Sequence, residues 1–317
     1  MTRLIGSAVA VGATVAALLL PMRASLAWGP EGHRVIAVMA DQLLQKADPA
    51  AYTKVHAALA TDKGNRLTKN DIASEATWAD VLRDKSEEAR DATSTWHSTR
   101  LKPDNPSLAS ACFGRPPLPA GYPASRGPRD NCSVDKIRQF EAELKNPETS
   151  SFERLAALQF LLNLVGDLHD PLHAIDHGDQ GGACVALQIA SKPPVRLSNY
   201  WQSMLVAEVA GPDPGKGAAR IVAAAPAAEA QKWVEGNPEA WLQEAYEVAK
   251  NVTYAFGADQ HAEKYSFPPG KGAAETCSSV SLYRVGPEYE TKALAAVRTQ
   301  LAKAGVRLAR ILREGFK

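Results

Sequence analysis

Residues 160–182 read FLLNLVGDLHDPLHAIDHGDQGG. The stretch opens apolar on most sides, with Leu161, Leu162, Leu164, Val165 and Leu168, which is the pattern of a helix buried in a core. Asn163 and Asp167 stand four residues apart and so share one face of that helix. Pro171 disfavours helical geometry at Asp170, so the helix is expected to stop there and hand His173 to a loop that Gly178, Gly181 and Gly182 let fold tightly. A buried carboxylate costs several kcal/mol unless it finds donors, a cation or a metal. His169, His173, Asp176 and His177 follow Asp167 within ten residues, which is ligand chemistry in kind. The plainer reading is a capped buried helix followed by a solvated loop of histidines and aspartates.

Outward from this stretch the periodicity is helical. Helices are expected over Glu31–Leu44, Pro49–Ala60, Asp71–Arg90, Val134–Leu144, Ser151–Leu168, Asn199–Val209, Ala218–Trp233, Pro238–Phe256 and Glu288–Leu312. Thr95–Thr99 and Val185–Ile189 read as short extended pieces. Leu101–Asn131 carries seven prolines and is expected to be a long surface loop without regular structure. No period repeats, and the fold class is all-α: a single large helical domain with long loops. Trp78 and Trp96 read as core anchors, and Asp80 and His97 each follow one closely.

The 317 residues begin with Met-Thr-Arg, an apolar run to Leu20, and Ser25-Leu26-Ala27, the pattern of a signal peptide over residues 1–27. Gly6, Ser7, Gly12 and Thr14 interrupt the run and argue against a retained membrane span. The mature domain is then residues 28–317, exported to the periplasm or the medium and expected to be monomeric. Removing Arg3 and Arg23 lowers the lysine plus arginine count from 36 to 34 against 35 acids, so no broad basic surface exists to hold a polyanion. Four cysteines in an exported chain imply two disulfides. Of three pairings, Cys112 with Cys132 and Cys184 with Cys277 is favoured.

Five separated motifs in order then carry a resemblance: Trp28-Gly29-Pro30-Glu31-Gly32-His33, Trp78-Ala79-Asp80, Trp96-His97, Gly166-Asp167 with Pro171-Leu172-His173, and Gly178-Asp179-Gln180-Gly181-Gly182. Over Trp28 to about Trp201 the chain resembles the S1/P1 nucleases and their relatives, the bacterial zinc phospholipases C. The resemblance implies up to three zinc ions. One would be held by the amino group and carbonyl of Trp28, by His33 and by Asp167. A second would use Asp80, His97 and a bridging Asp167, and a third His173. The implied activity is hydrolysis of single-stranded DNA or RNA, with water activated between two close metals attacking phosphorus, Asp80 orienting it and Asp167 setting the metal spacing.

Three positions depart from the family pattern. Asn163 stands where the family has a histidine of the second site, leaving at best a weak amide ligand. Ser198 and Gln202 stand where it has the histidine and aspartate of the third, and both are poor zinc ligands. Loss of the third site is expected over rescue by His169, Asp176, His177 or Asp179, so one or two zinc ions are expected. The rival readings are a repurposed member keeping metals as a structural or phosphate-binding site, and a phospholipase C-like lipid phosphodiesterase. Tyr200 and Tyr122 are the candidate aromatics for stacking a base.

Overall fold

The computed structural model describes residues 27–63, 67–257, 262–268, 277 and 279–317. Apart from Ala27, the expected signal peptide lies outside them. The helix Ser151–Leu168 forms the centre. Ser150 caps it by accepting from the Glu153 backbone N–H, and every residue from Ala156 to Leu168 is buried. Around it pack Gly29–Ala47, Trp78–Lys85, Ser133–Lys145 and the closing helix Pro287–Gly315. Gly29–Ala47 and Pro287–Gly315 approach closely because Gly305 leaves room for Met39: a Cβ there would stand 2.5 Å from its sulfur. Phe160 stacks on Phe140 and meets Trp78 and Trp96 edge-on, so both tryptophans anchor the core as expected.

The fold is all-α with one small sheet. Strands β1 (Val185–Ile189), β2 (Val195–Arg196), β3 (Glu263–Tyr265) and β4 (Val280–Val285) lie in the order β2-β1-β4-β3, with β1 parallel to β4 and the other pairs antiparallel. Both favoured disulfides are present, Cys112–Cys132 and Cys184–Cys277. No helix among the described residues is long and apolar enough to cross a membrane.

Several expected elements are divided differently. Asp71–Arg90 is three helices, Ile72–Glu75, Trp78–Lys85 and Glu87–Thr93, because Asp71 and Ser86 each cap a new start. Ala218–Trp233 belongs to two helices, Pro214–Ala224 and Ala227–Trp233, since Pro226 forces Ala225 to be extended. Thr95–His97 is a turn rather than extended. The chain straightens only at Ser98 and bridges Leu101 to Ile175. The proline-rich loop holds a helical turn at Leu108–Ala111 and a tight turn at Ala124–Arg126. His173 lies not in a loop but in the short helix Pro171–Ala174, which Asp170 caps and Pro171 opens.

Candidate metal centre

Asp167 is the hub. Its helix packs so closely on Gly29–Ala47 that a Cβ on Gly166 would stand 2.8 Å from His33 Nδ1, and this clearance brings His33 Nε2 to 3.3 Å from Asp167 Oδ1. His33 Nε2 also lies 3.7 Å from Asp80 Oδ2. His97 Nδ1 stands 2.7 Å from Asp167 Oδ2 and 4.0 Å from Asp80 Oδ1. Three side chains from three other segments of the chain therefore meet around one buried carboxylate.

Hydrogen bonding leaves this group incomplete. His33 Nε2, His97 Nε2, Asp80 Oδ1 and Asp167 Oδ1 are buried without a hydrogen bond among the described residues, although His33 Nε2 and Asp167 Oδ1 lie within ion-pair distance of each other. Unpaired buried polar atoms are costly, so their meeting at imidazole and carboxylate groups that can all ligate a metal fits a cation. Burial opposes the charge of Asp167, yet the contacts of His33 and His97 prevail and hold its carboxyl well below the usual range. Burial pushes Asp80 up, against the pull of His33. With its side chain 14% exposed, Asp80 is the more open carboxylate of the pair.

Asn163 occupies the expected face, 0% exposed. Its amide nitrogen donates to Asp80 Oδ2 at 3.0 Å and to the Ala76 carbonyl at 3.1 Å. As placed, its N–H steadies Asp80, while its Oδ1 is buried without a hydrogen bond among the described residues. Trp28 is wholly buried, and Gly32 gives it room, since a Cβ there would lie 2.3 Å from that of Trp28.

The corner around His173 differs. His173 Nδ1 donates to the His97 carbonyl at 2.7 Å, and burial together with Arg100 lowers its pKa to about 3. Gln202 Nε2 donates to Asp170 Oδ2 at 2.6 Å, and Asp170 Oδ1 accepts from the Leu172 backbone at 2.9 Å. Ser198 is buried, its backbone N–H held by the Gly182 carbonyl. Ser198 and the Gln202 amide are poorer zinc ligands than a histidine and an aspartate, and Gln202 presents an N–H to Asp170, although its Oε1 is buried without a hydrogen bond among the described residues.

Of the four rescue candidates, His169 and Asp179 have both ligand atoms engaged in hydrogen bonds. His169 Nδ1 donates to the Val165 carbonyl at 2.7 Å and Nε2 accepts from Arg307 at 2.9 Å, so both ring nitrogens are used. Asp176 Oδ1 accepts from the Gly178 backbone, and exposed His177 packs on Tyr254 with ring centroids 4.1 Å apart. Asp179 accepts from Gly182 and from the Tyr254 hydroxyl. Tyr200 is buried with its hydroxyl toward Glu290, so it is no stacking platform. Exposed Tyr122 lines a different groove with Arg126 and Glu143.

Two residues at the site escaped the sequence reading. Arg83 lies one turn beyond Asp80, with Nη1 3.8 Å from Asp80 Oδ1, and its buried Nε and Nη1 have no hydrogen-bond partner among the described residues. Its i+3 spacing from Asp80 was the available signal. Asp170 read only as a helix stop. Elsewhere Cys112, Cys132 and Asp135 also lie within ligand distance of one another, but the sulfurs are joined as a disulfide and Asp135 is paired to Arg115, so they cannot serve a metal.

The sequence model of S1/P1 nucleases matches residues 28–317. Endonuclease 4 of Arabidopsis thaliana is 22% identical over 318 residues, covering 96% of this chain and 94% of the relative. Nuclease S1 of Aspergillus oryzae is 24% identical over 196 residues, covering 62% of this chain and 60% of the relative. Endonuclease 3 of A. thaliana is 22% identical, covering 92% and 90%.

Proposed function

The chain belongs to the S1/P1 nuclease family, and from that premise we propose that residues 28–317 act as an exported, monomeric, zinc-dependent phosphodiesterase of single-stranded DNA or RNA, weakened by a missing third zinc site. The observation that supports this best is the set of unpartnered buried atoms on His33, Asp80, His97 and Asp167. Two disulfides agree with an oxidising compartment. Zinc at such a pair would acidify water and neutralise phosphate charge. Trp28, His33 and Asp167 would hold one ion, and Asp80, His97 and Asp167 the other.

The chain's own groups supply the rest. Asp80, steadied by Asn163, orients the attacking water and takes a hydrogen bond from it. Arg83, with donors to spare beside Asp80, holds a phosphate oxygen by charge-assisted hydrogen bonds. His97 carries Asp167 on Nδ1, which fixes its ring orientation.

A second reading, a member that keeps metals without efficient catalysis, is favoured by the hydrogen bond between Asp170 and Gln202, which engages the Asp170 carboxylate without an ion. Hydrolysis of single-stranded DNA by the processed chain at added zinc decides between the two. Slow cleavage abolished by Asp167→Asn supports the enzyme, whereas zinc binding with no cleavage supports the second reading.

A further inference from the structure

An open groove of about 520 Å³ begins one residue from His97, at Ser98, and runs past Arg100 and Lys102 to Ser110 and Phe113. The segment that carries it is fixed to the candidate centre. Thr99 N–H donates to the His173 carbonyl and Leu101 N–H to that of Ala174, so the backbone bearing the two cations is hydrogen-bonded to the segment bearing His173. Arg100 Cα lies three residues from that of His97, at most about 11 Å away along the chain.

Among the described residues neither Arg100 nor Lys102 forms an ion pair with a carboxylate, although the chain as a whole is near neutral. Arg100 Nε donates only to the Leu172 carbonyl at 3.3 Å. Gly181, at φ +66°, leaves space for the guanidinium: a Cβ there would stand 3.1 Å from Arg100 Nη2. The one acid in the groove, Asp176, spends Oδ1 on the Gly178 backbone. On the rim Phe113 is 50% exposed and adopts φ +54°, a conformation that aromatic residues rarely take. It directly follows Cys112, which is tied to Cys132.

We propose that this groove is a subsite for the strand flanking the bond that is cut, with Arg100 and Lys102 holding one uncut phosphate and Phe113 stacking the neighbouring base. The inference rests on the phosphodiesterase reading and adds to it how a strand is distinguished from a small phosphodiester. A forked guanidinium beside a mobile ammonium suits a phosphate. An exposed aromatic face accepts any base, so the subsite selects single strands without reading sequence.

The test compares the processed wild type with Arg100→Gln, Lys102→Gln, Arg100→Lys and Phe113→Ala. Binding of a fluorescent phosphorothioate hexathymidylate, which resists cleavage, is followed by anisotropy over a range of salt, and hydrolysis of bis(p-nitrophenyl) phosphate is measured in parallel. Loss of a charge-assisted contact weakens oligonucleotide binding by about tenfold or more. The slope of log K against log salt falls by about 0.7 for each phosphate contact removed. Arg100→Lys retains most of the affinity, and Phe113→Ala weakens binding without changing the slope. Lys102 is exposed, so its variant folds normally whatever happens at Arg100. Hydrolysis of the small diester stays the same in all variants. Unchanged oligonucleotide affinity and slope, a wild type that does not bind the oligonucleotide, or equal losses on both substrates overturns the subsite. A wild type that binds the oligonucleotide with the predicted variant pattern but does not hydrolyse the small diester overturns the phosphodiesterase reading alone.

Discussion

Asp167 and Asp170 lie three residues apart, both buried, in opposite surroundings. Asp167 faces His33 and His97, which outweigh burial and keep it ionised. Asp170 faces the Gln202 amide and the Leu172 backbone N–H, and burial prevails, raising its pKa to about 7. A carboxylate held ionised in a dry place, with imidazoles left half-bonded around it, calls for a cation. One that can take up a proton and an amide hydrogen bond does not. The contrast teaches that glutamine at position 202 does more than remove a carboxylate ligand, because its amide N–H engages Asp170.

The largest effect is expected where the cation is called for. Metal that binds only the folded chain stabilises it by about 4 kcal/mol at a thousand times Kd. Asp167→Asn should remove most of the zinc-dependent rise in melting temperature and all phosphodiester hydrolysis, as measured by calorimetry with and without a chelator. Equal zinc-dependent shifts in wild type and variant would place the metal elsewhere.

The closed corner can be reopened. Ser198→His with Gln202→Asp places two ligands four residues apart on one helical face beside His173, and Asn163→His adds the missing ligand of the second site. The triple variant should bind about one more zinc per chain than the wild type and cleave single-stranded DNA faster. Robust wild-type cleavage with no gain on restoration would show that this corner is not deficient.

The terminal amine offers a subtler break. Residues left ahead of Trp28 replace that amine by a peptide nitrogen, so zinc titration should find about one site fewer than in the processed chain. Equal stoichiometry would remove Trp28 from the ligand set.

The smallest effect extends the contrast to a buried cation. Lys136 is enclosed, its ammonium 3.7 Å from the centre of the Trp96 ring and bonded to the Ala124 carbonyl, and burial lowers its pKa to about 7. A lysine with a depressed folded pKa destabilises the protein fully below that pKa, and the penalty fades as pH rises from 7 toward 10.5. Lys136→Met should therefore be more stable than wild type by about 1–2 kcal/mol at pH 6, with the difference shrinking by pH 9 in urea unfolding. A difference that does not vary with pH would assign the effect to packing alone.

Much of this was legible in the sequence for local reasons. Ser150 and Pro171 bracket the central helix, so its span, its buried face and the placing of Asn163 and Asp167 on one side of it follow from neighbouring residues. The side chains of His33, Asp80 and His97 could be named only because the motifs around them resemble those of a known family. What escaped depends on partners distant in the chain. His169 is claimed by Arg307, 138 residues away, and Asp170 by Gln202, 32 residues away, and neither contact leaves a periodic trace. The splitting of Asp71–Arg90 turned on Ser86 serving as a cap rather than continuing a helix, a choice that spacing alone leaves open.

The central claim is that zinc occupies the open cluster and not the closed corner. Elemental analysis of the processed chain after saturation with zinc and removal of the free ion tests it most directly. The account predicts about one or two zinc per chain, reduced by about one with His33→Ala and unaffected by Gln202→Ala. About three per chain, or a content unchanged by His33→Ala, would contradict it.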